Sequence, residues 1–175
     1  MYINLETFQK YSNIFTDNTE LQQSYINAAE NIVENYLGYS LTRKNYVSIL
    51  NGSNSKYLQL RVKPINELIS VNINEQEIDI TEFNIEEEFI LRNNDIFPEG
   101  INISVEYNAG YNTEDIPEII CLTILRIAAL LQSESDSNIG ITSKSFGDNG
   151  ARTFINYTNF DKYLSPISSY KLIII

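Results

Sequence analysis

The sequence predicts an α+β protein: a small helical bundle around a buried central helix at about 117–132, with an antiparallel β region inserted at about 45–107. Three observations carry this. From Ile119 to Leu131 only Thr123 and Arg126 are polar, and a helix apolar on nearly every side is a buried one. From Thr19 to Leu37 apolar residues recur at three- and four-residue spacing, the mark of an amphipathic helix. Between the two lie short alternating runs separated by turn residues, the mark of antiparallel strands.

The first helix is expected over Asn4–Tyr11, with Asn4 as cap and Leu5, Phe8 and Tyr11 on one face. Ile14 and Phe15 follow as apolar anchors. Thr19-Glu20-Leu21-Gln22 matches a capping box and opens the second helix, whose apolar face reads Leu21, Tyr25, Ala28, Ala29, Ile32, Val33 and Tyr36. Gly38 supplies its stop. Glu20, Glu30 and Glu34 form an acidic strip read as a solvated face.

Three hairpins are expected in the middle third. Tyr46–Leu50 and Lys56–Leu60 flank the polar loop at 51–55. Leu68–Ile73 and Gln76–Ile80 flank Asn74-Glu75, and Phe83–Ile85 and Phe89–Arg92 flank the glutamates at 86–88. No ligand cluster surrounds those three acids, so they read as a corner and not a metal site. In Ile101, Ile103, Val105 and Tyr107 the apolar residues alternate with polar ones, a half-buried strand. Asn108-Ala109-Gly110-Tyr111 breaks it. Asp115-Ile116-Pro117-Glu118 reads as the start of the central helix, with Asp115 as cap.

After that helix, residues 133–152 read as a long polar loop with Ile139, Ile141, Phe146 and Ala151 as apolar exceptions. A short helix is expected over Thr158–Leu164, limited by Pro166. The chain ends in a tail, 167–175, closing with Leu172-Ile173-Ile174-Ile175. Four exposed aliphatic residues invite pairing as a strand or docking in a groove, in this chain or a neighbour. The organisation expected is one domain, 1–175, helical at 1–38 and 115–170.

Composition narrows the function. The 175 residues include no histidine and one cysteine. The commonest general base and metal ligand is therefore missing, and no disulfide framework is possible. Cys121, inside the apolar helix, reads as a small buried hydrophobe. Phosphate-binding glycine loops, HExxH and GxSxG are all absent from the sequence. Gly147-Asp148-Asn149-Gly150 lacks the alternating acids of a calcium loop and reads as a turn. The start MYINLETFQK is not that of a signal peptide, the apolar helix is too short and carries Arg126, and an intracellular protein without a membrane span is expected.

The net charge of −11 is unevenly spread. Gly38–Pro64 holds Arg43, Lys44, Lys56, Arg61 and Lys63 and no acid, whereas Ile65–Glu118 holds fourteen acids and one base, Arg92. Such segregation lets copies meet head to tail in a ring, each contact joining two different patches. The acidic total disfavours a nucleic-acid binder. Arg126 is expected to pair with an acid of the 19–37 helix or to lie on a face that another subunit covers.

Several pieces now fall into a familiar order. They are Ala28-Ala29-Glu30-Asn31-Ile32-Val33-Glu34-Asn35-Tyr36-Leu37-Gly38, then Pro64-Ile65 leading into Leu68-Ile69-Ser70-Val71. Val105-Glu106-Tyr107-Asn108-Ala109-Gly110-Tyr111 follows, with Ile116-Pro117 and an Ala-containing apolar helix after it. Last comes the polar Ser143-Lys144-Ser145-Phe146-Gly147-Asp148. In this order they resemble the head–tail connector (adaptor, or head completion) proteins of tailed bacteriophages and prophages. The segment after Pro166 is not placed by that pattern.

The resemblance implies a structural virion protein with no catalytic residues, cofactor or metal. It implies a homo-oligomeric ring, typically a dodecamer, in the virion neck beneath the portal protein. That ring extends the DNA channel and offers a platform to the stopper or tail-completion protein. The chain would be made in the cytoplasm of the host bacterium and could be monomeric until the portal templates it. DNA would pass without specific binding, past acids that repel phosphate. Assembly contacts are expected from Ile139, Ile141, Lys144, Phe146, Asp148 and Arg152 in the polar loop, and from Leu172, Ile173, Ile174 and Ile175 in the tail. A different tail-completion or baseplate-type adaptor is the alternative; an enzyme of unrecognised type ranks last.

Overall fold

A strand flanked by strands on both edges must satisfy its backbone twice, and the run that begins near Ile101 does so. In the computed structural model, which describes residues 2–135, 143–145, 151–153 and 160–172, helices and antiparallel sheets are mixed, as the α+β class requires. The elements are α1 (Leu5–Ser12), α2 (Thr19–Leu37), β1 (Lys44–Asn51), β2 (Tyr57–Gln59), β3 (Ile65–Ile73), β4 (Gln76–Ile78), β5 (Phe83–Glu86), β6 (Phe89–Arg92), β7 (Asn102–Ala109), α3 (Glu118–Ser135), β8 (Ser143–Ser145), β9 (Ala151–Thr153) and α4 (Asp161–Leu164). Contacts divide the chain into a helical unit, Met1–Leu37 with Pro117–Lys171, and a β unit, Gly38–Ile116 with Leu172–Ile175.

The β unit contains a four-stranded sheet of order β1-β7-β3-β4 and a three-stranded sheet of order β2-β6-β5. β7 pairs antiparallel with β1, Tyr46 opposite Tyr107 and Ser48 opposite Val105. Its other edge pairs antiparallel with β3, Leu68 opposite Tyr107 and Val71 opposite Val105. The expected alternation holds: Ile103, Val105, Tyr107 and Ala109 are fully buried. The Tyr107 hydroxyl lies 3.1 Å from the buried Ser48 hydroxyl, a satisfied pair contributing about 1 kcal/mol. Two register shifts in β3 leave Asn66 and Ile69 as extra residues, as bulges do.

Two of the three expected hairpins form. β3 and β4 pair around Asn74-Glu75, with Ile73 opposite Gln76 and both turn residues at positive φ, the requirement of a two-residue hairpin turn. β5 and β6 pair with Glu86 opposite Phe89. Glu88, part of the acidic corner, is bound by Lys63 at 2.6 Å. The first expected hairpin does not form. β1 pairs with β7, and β2 pairs with β6. The reason is visible at 51–55, whose backbone bonds go elsewhere. Gly52 N–H donates to Ile101 C=O and Asn54 N–H to Phe97 C=O. A Cβ on Gly52 would sit 2.1 Å from the Pro98 carbonyl oxygen, so glycine lets the chain cross from one sheet to the other.

The helical unit starts as expected. Asn4 Oδ1 accepts from Thr7 N–H at 2.8 Å, and Phe8 is fully buried, but Tyr11 is 43% exposed. Ile14 and Phe15 are not anchors: both are exposed, Phe15 at 69%. The cap of α2 is Asn18, whose Oδ1 accepts from Leu21 N–H at 3.2 Å, so Thr19 is already helical. The buried face is Gln22, Ile26, Ala29, Glu30, Val33 and Leu37, rotated from the expected one by about one position. Two polar residues cause the rotation. Gln22 accepts from Gln9 Nε2 at 2.9 Å and donates to Ile14 C=O at 3.1 Å. Glu30, expected in solvent, is 8% exposed and accepts from the backbone N–H groups of Tyr2 and Ile3.

α3 begins at Glu118, with the Pro117 carbonyl accepting from Ile120 and Cys121. Asp115 is not its cap; its carboxylate accepts from Asn112 Nδ2 at 2.7 Å. Ile120, Ile124, Ile127 and Ala128 are fully buried, and α3 touches α1, α2 and α4. Buried Thr123 donates its hydroxyl to Ile119 C=O at 2.8 Å. The last turn of the chain also differs from expectation. α4 starts at Asp161, its predicted caps at 158 and 159 lie outside the described residues, and Ser165–Tyr170 continues as a 3-10 helix with Pro166 in its first turn. Ile167 is fully buried there, so the tail does not begin at 167.

Gly110 closes β7 at φ +97°, and a Cβ there would lie 2.5 Å from the Thr42 carbonyl oxygen. Gly110→Ala is expected to destabilise the protein by about 2–4 kcal/mol, read as a lower midpoint in urea unfolding.

Candidate assembly surfaces

The sequence points to ten residues as assembly contacts, and the structure speaks to three. Ile139, Ile141, Phe146, Asp148, Ile173, Ile174 and Ile175 lie outside the described residues. Lys144 and Arg152 face each other in register in the antiparallel β8–β9 ladder. The 133–152 segment is therefore not loop throughout: α3 runs to Ser135 and this ladder follows. Leu172 sits against Gly38, its Cβ 3.8 Å from where a Gly38 Cβ would be.

A second surface belongs to the β unit and was missed. Val47 and Ile49 are 66% and 65% exposed, on the face of β1 opposite Ser48. Strand parity alone puts the apolar pair inside and the serine outside. The Tyr107 hydroxyl reverses this by giving Ser48 a buried partner. β1 is also an edge strand. Arg43 and Lys44 stand exposed at its start, Arg43 donating to Asn108 Oδ1 at 2.9 Å and the Lys44 ammonium 5.2 Å from the Tyr46 ring centre. At the opposite edge of the same sheet, β4 and its turn carry exposed Glu75, Glu77 and Asp79. Thus part of the charge segregation in the sequence maps onto the two edges of one sheet. Near the far end of β1, Leu50, Asn51, Tyr57, Leu58 and Phe89 line a cleft of about 610 Å³.

In the helical unit, Arg126 lines a shallow cleft of about 340 Å³ with Tyr11, Ala129, Leu130 and Tyr163. It forms no ion pair with an acid of α2 among the described residues. Cys121 is half-buried, less than its sequence context suggests, and desolvation raises its thiol pKa, with Glu118 and Glu30 adding to the rise. Among the described residues no group of three or more Asp, Glu or Cys could hold a metal ion, and no helix is long and apolar enough to cross a membrane.

The family model described as head completion protein matches residues 2–159. The chain belongs to the head completion protein family. Its role is structural, at the head–tail connection of the virion. Comparison with curated protein sequences finds no match. Among solved structures, a chain in the neck of an empty gene transfer agent particle computed with C6 symmetry is 11% identical. The alignment has a TM-score of 0.65 and covers 99% of this chain and 91% of that one. A chain of the virion of a native gene transfer agent particle gives 12% identity and a TM-score of 0.66, over 99% and 91% of the two chains. One in the neck of a native particle computed with C12 symmetry gives 12% and 0.60, over 98% and 89%. At these identities the likeness is one of fold, and it spans both units of this head completion protein.

Because the thiolate is the nucleophile, the raised pKa of Cys121 predicts slower alkylation at pH 8 than a free thiol shows, the rate still climbing at pH values where a free thiol has levelled off. Timed iodoacetamide labelling with intact-mass detection checks this, and equal rates would contradict it.

Proposed function

We propose that this head completion protein is a non-enzymatic adaptor that forms a homo-oligomeric ring beneath the portal, extends the DNA channel and presents a platform to a stopper or tail-completion protein. The observation that carries this reading is the family match across residues 2–159. Structural neighbours drawn from particle necks, one computed with C12 symmetry, support a dodecamer. In this reading α3 is the packing centre of a small helical bundle, and the chain is made in the host bacterial cytoplasm before it joins the virion neck. It works without cofactor or metal and as a single assembly module.

The charge distribution fits a conduit. With 23 acids against 12 bases, a channel wall drawn from acidic surface repels phosphate and lets DNA slide without sites at which to stick. The Lys144–Arg152 ladder and the C-terminal Leu172–Ile175 are proposed as contacts made during assembly.

Negative-stain images of the protein mixed with its portal should show a ring stacked coaxially on the portal; absence of any association would remove the reading. A chain lacking Leu172–Ile175 should keep its circular dichroism spectrum yet join heads at least several-fold less well. Normal joining would show that the tail is not a contact.

A further inference from the structure

Two surfaces, one in each unit, hold a lone charge among apolar side chains, and the two charges are opposite in sign. On the face of the four-stranded sheet that bears Val47 and Ile49 the charge is Glu106 of β7; in the helical unit it is Arg126 of α3. We propose that in the assembled ring the Glu106 face of one copy seats on the Arg126 cleft of the next, the two side chains forming an ion pair between copies. This rests on the ring reading above and names the surfaces through which neighbours meet.

Strand register builds the sheet surface. Glu106 lies opposite Val47 on β1 and opposite Ser70 on β3, beside the bulge residue Ile69. Val47, Ile49 and Ile69 are 66%, 65% and 39% exposed, so the half-buried Glu106 has exposed aliphatic residues on both neighbouring strands. Neighbouring strands lie about 5 Å apart, which makes this a strip about 10 Å wide, the breadth of a single helix. Among the described residues the Glu106 carboxylate has no hydrogen-bonding or ionic partner. The nearby base Arg43, just before β1, is tied to Asn108, while exposed Glu67 and Glu77 keep the sign of this sheet negative.

The helical surface is its counterpart. Arg126, Ala129 and Leu130 share one face of α3 by their three- and four-residue spacing, and they line the cleft of about 340 Å³ with Tyr11 of α1 and Tyr163 of α4. Arg126 is half-buried, and among the described residues its guanidinium has no hydrogen-bonding or ionic partner. A guanidinium walled by aromatic and aliphatic side chains holds a carboxylate more strongly than one in open water. An aliphatic strip with an acid at its centre satisfies the charge and the walls together. Nucleic acid offers phosphate without the aliphatic strip. A face-on-cleft contact joins two different patches, so each copy keeps one of each for its other neighbour, which is what a ring of many copies needs. A Glu106 face against another Glu106 face would instead oppose like charges.

The test reverses each charge and then both. Glu106→Arg and Arg126→Glu are made singly and together in one chain. Rings are counted by electron microscopy for the purified chains, alone and on DNA-filled heads lacking the protein, with the unmodified chain measured alongside and urea unfolding as the check on folding. Each single variant should form about tenfold fewer rings or less, since like charges then meet, and the double variant should restore them. Should Arg126→Glu fail to fold, Glu106→Gln and Arg126→Gln repeat the scheme: each alone strands the opposite charge in the contact, and together they strand none. Undiminished rings from the folded single variants would overturn the proposal. So would a double variant no better than the worse single one, the outcome expected if the portal or a stopper, and not a second copy, covers these surfaces. If the unmodified chain forms no ring even on heads, the ring reading fails and this contact with it, a result distinct from failure of the contact alone.

Discussion

β7 is the constraint on which the β unit depends. With a partner on each edge, it fixes the register of β1 and β3 at once, because a slip of one residue would turn Val105 and Tyr107 outward. Its end is fixed just as firmly. Gly110 N–H donates to Pro64 C=O, Tyr111 N–H donates to Leu41 C=O, and Arg43 N–H donates back to Tyr111 C=O. Asn66 Nδ2 adds a bond to Gly110 C=O at 2.9 Å. The short run Tyr107–Tyr111, which serves in the sequence as the family's marker, is thereby a junction where three distant stretches of backbone meet. Only a residue without Cβ fits at its centre.

The acids of this chain do two different jobs. A few act as individual clamps. Glu30 holds the backbone of Tyr2 and Ile3 against α2, Glu34 accepts from the Tyr2 hydroxyl, and Glu88 binds Lys63 where both are mostly shielded from water. Asp79 accepts from the N–H and hydroxyl of Thr81, which holds its carboxyl below the usual range. Others, such as Glu75 and Glu77, are simply exposed. Net charge alone cannot tell these groups apart. Their geometry does, and only the exposed class is free to repel DNA or attract a neighbour.

The local parts of this fold were legible in the sequence, and the misreadings share one cause. The turns at Asn74-Glu75 and at the 86–88 glutamates depend on a few adjacent residues, so both hairpins were read correctly. The 51–55 loop looked equally local, but its backbone is claimed by Phe97 and Ile101, over forty residues away. The face of α2 was read from hydropathy, which cannot know that α1 and the preceding residues bring partners for Gln22 and Glu30. Ser48 is buried for the same kind of reason, a hydroxyl arriving from β7. Of the assembly surfaces, the 133–152 segment and the C-terminus were chosen by composition. The exposed Val47 and Ile49 were hidden because their apolar character is what a buried position also requires. The family itself was legible because its marker residues answer to backbone geometry.

The interruption of the helical unit by the β unit has a consequence during synthesis. α1 and α2 leave the ribosome first, but α3, against which they pack, follows only after the 79 residues of Gly38–Ile116. Every strand of the four- and three-stranded sheets lies inside that interval, so the β unit can close while Ile26, Ala29 and Val33 still lack their cover. The nascent chain therefore passes through a stage in which these sheets can be complete while one apolar helix face is still bare. Chaperone binding and mis-association concentrate at such a stage, which ends when Ile120–Leu131 arrives.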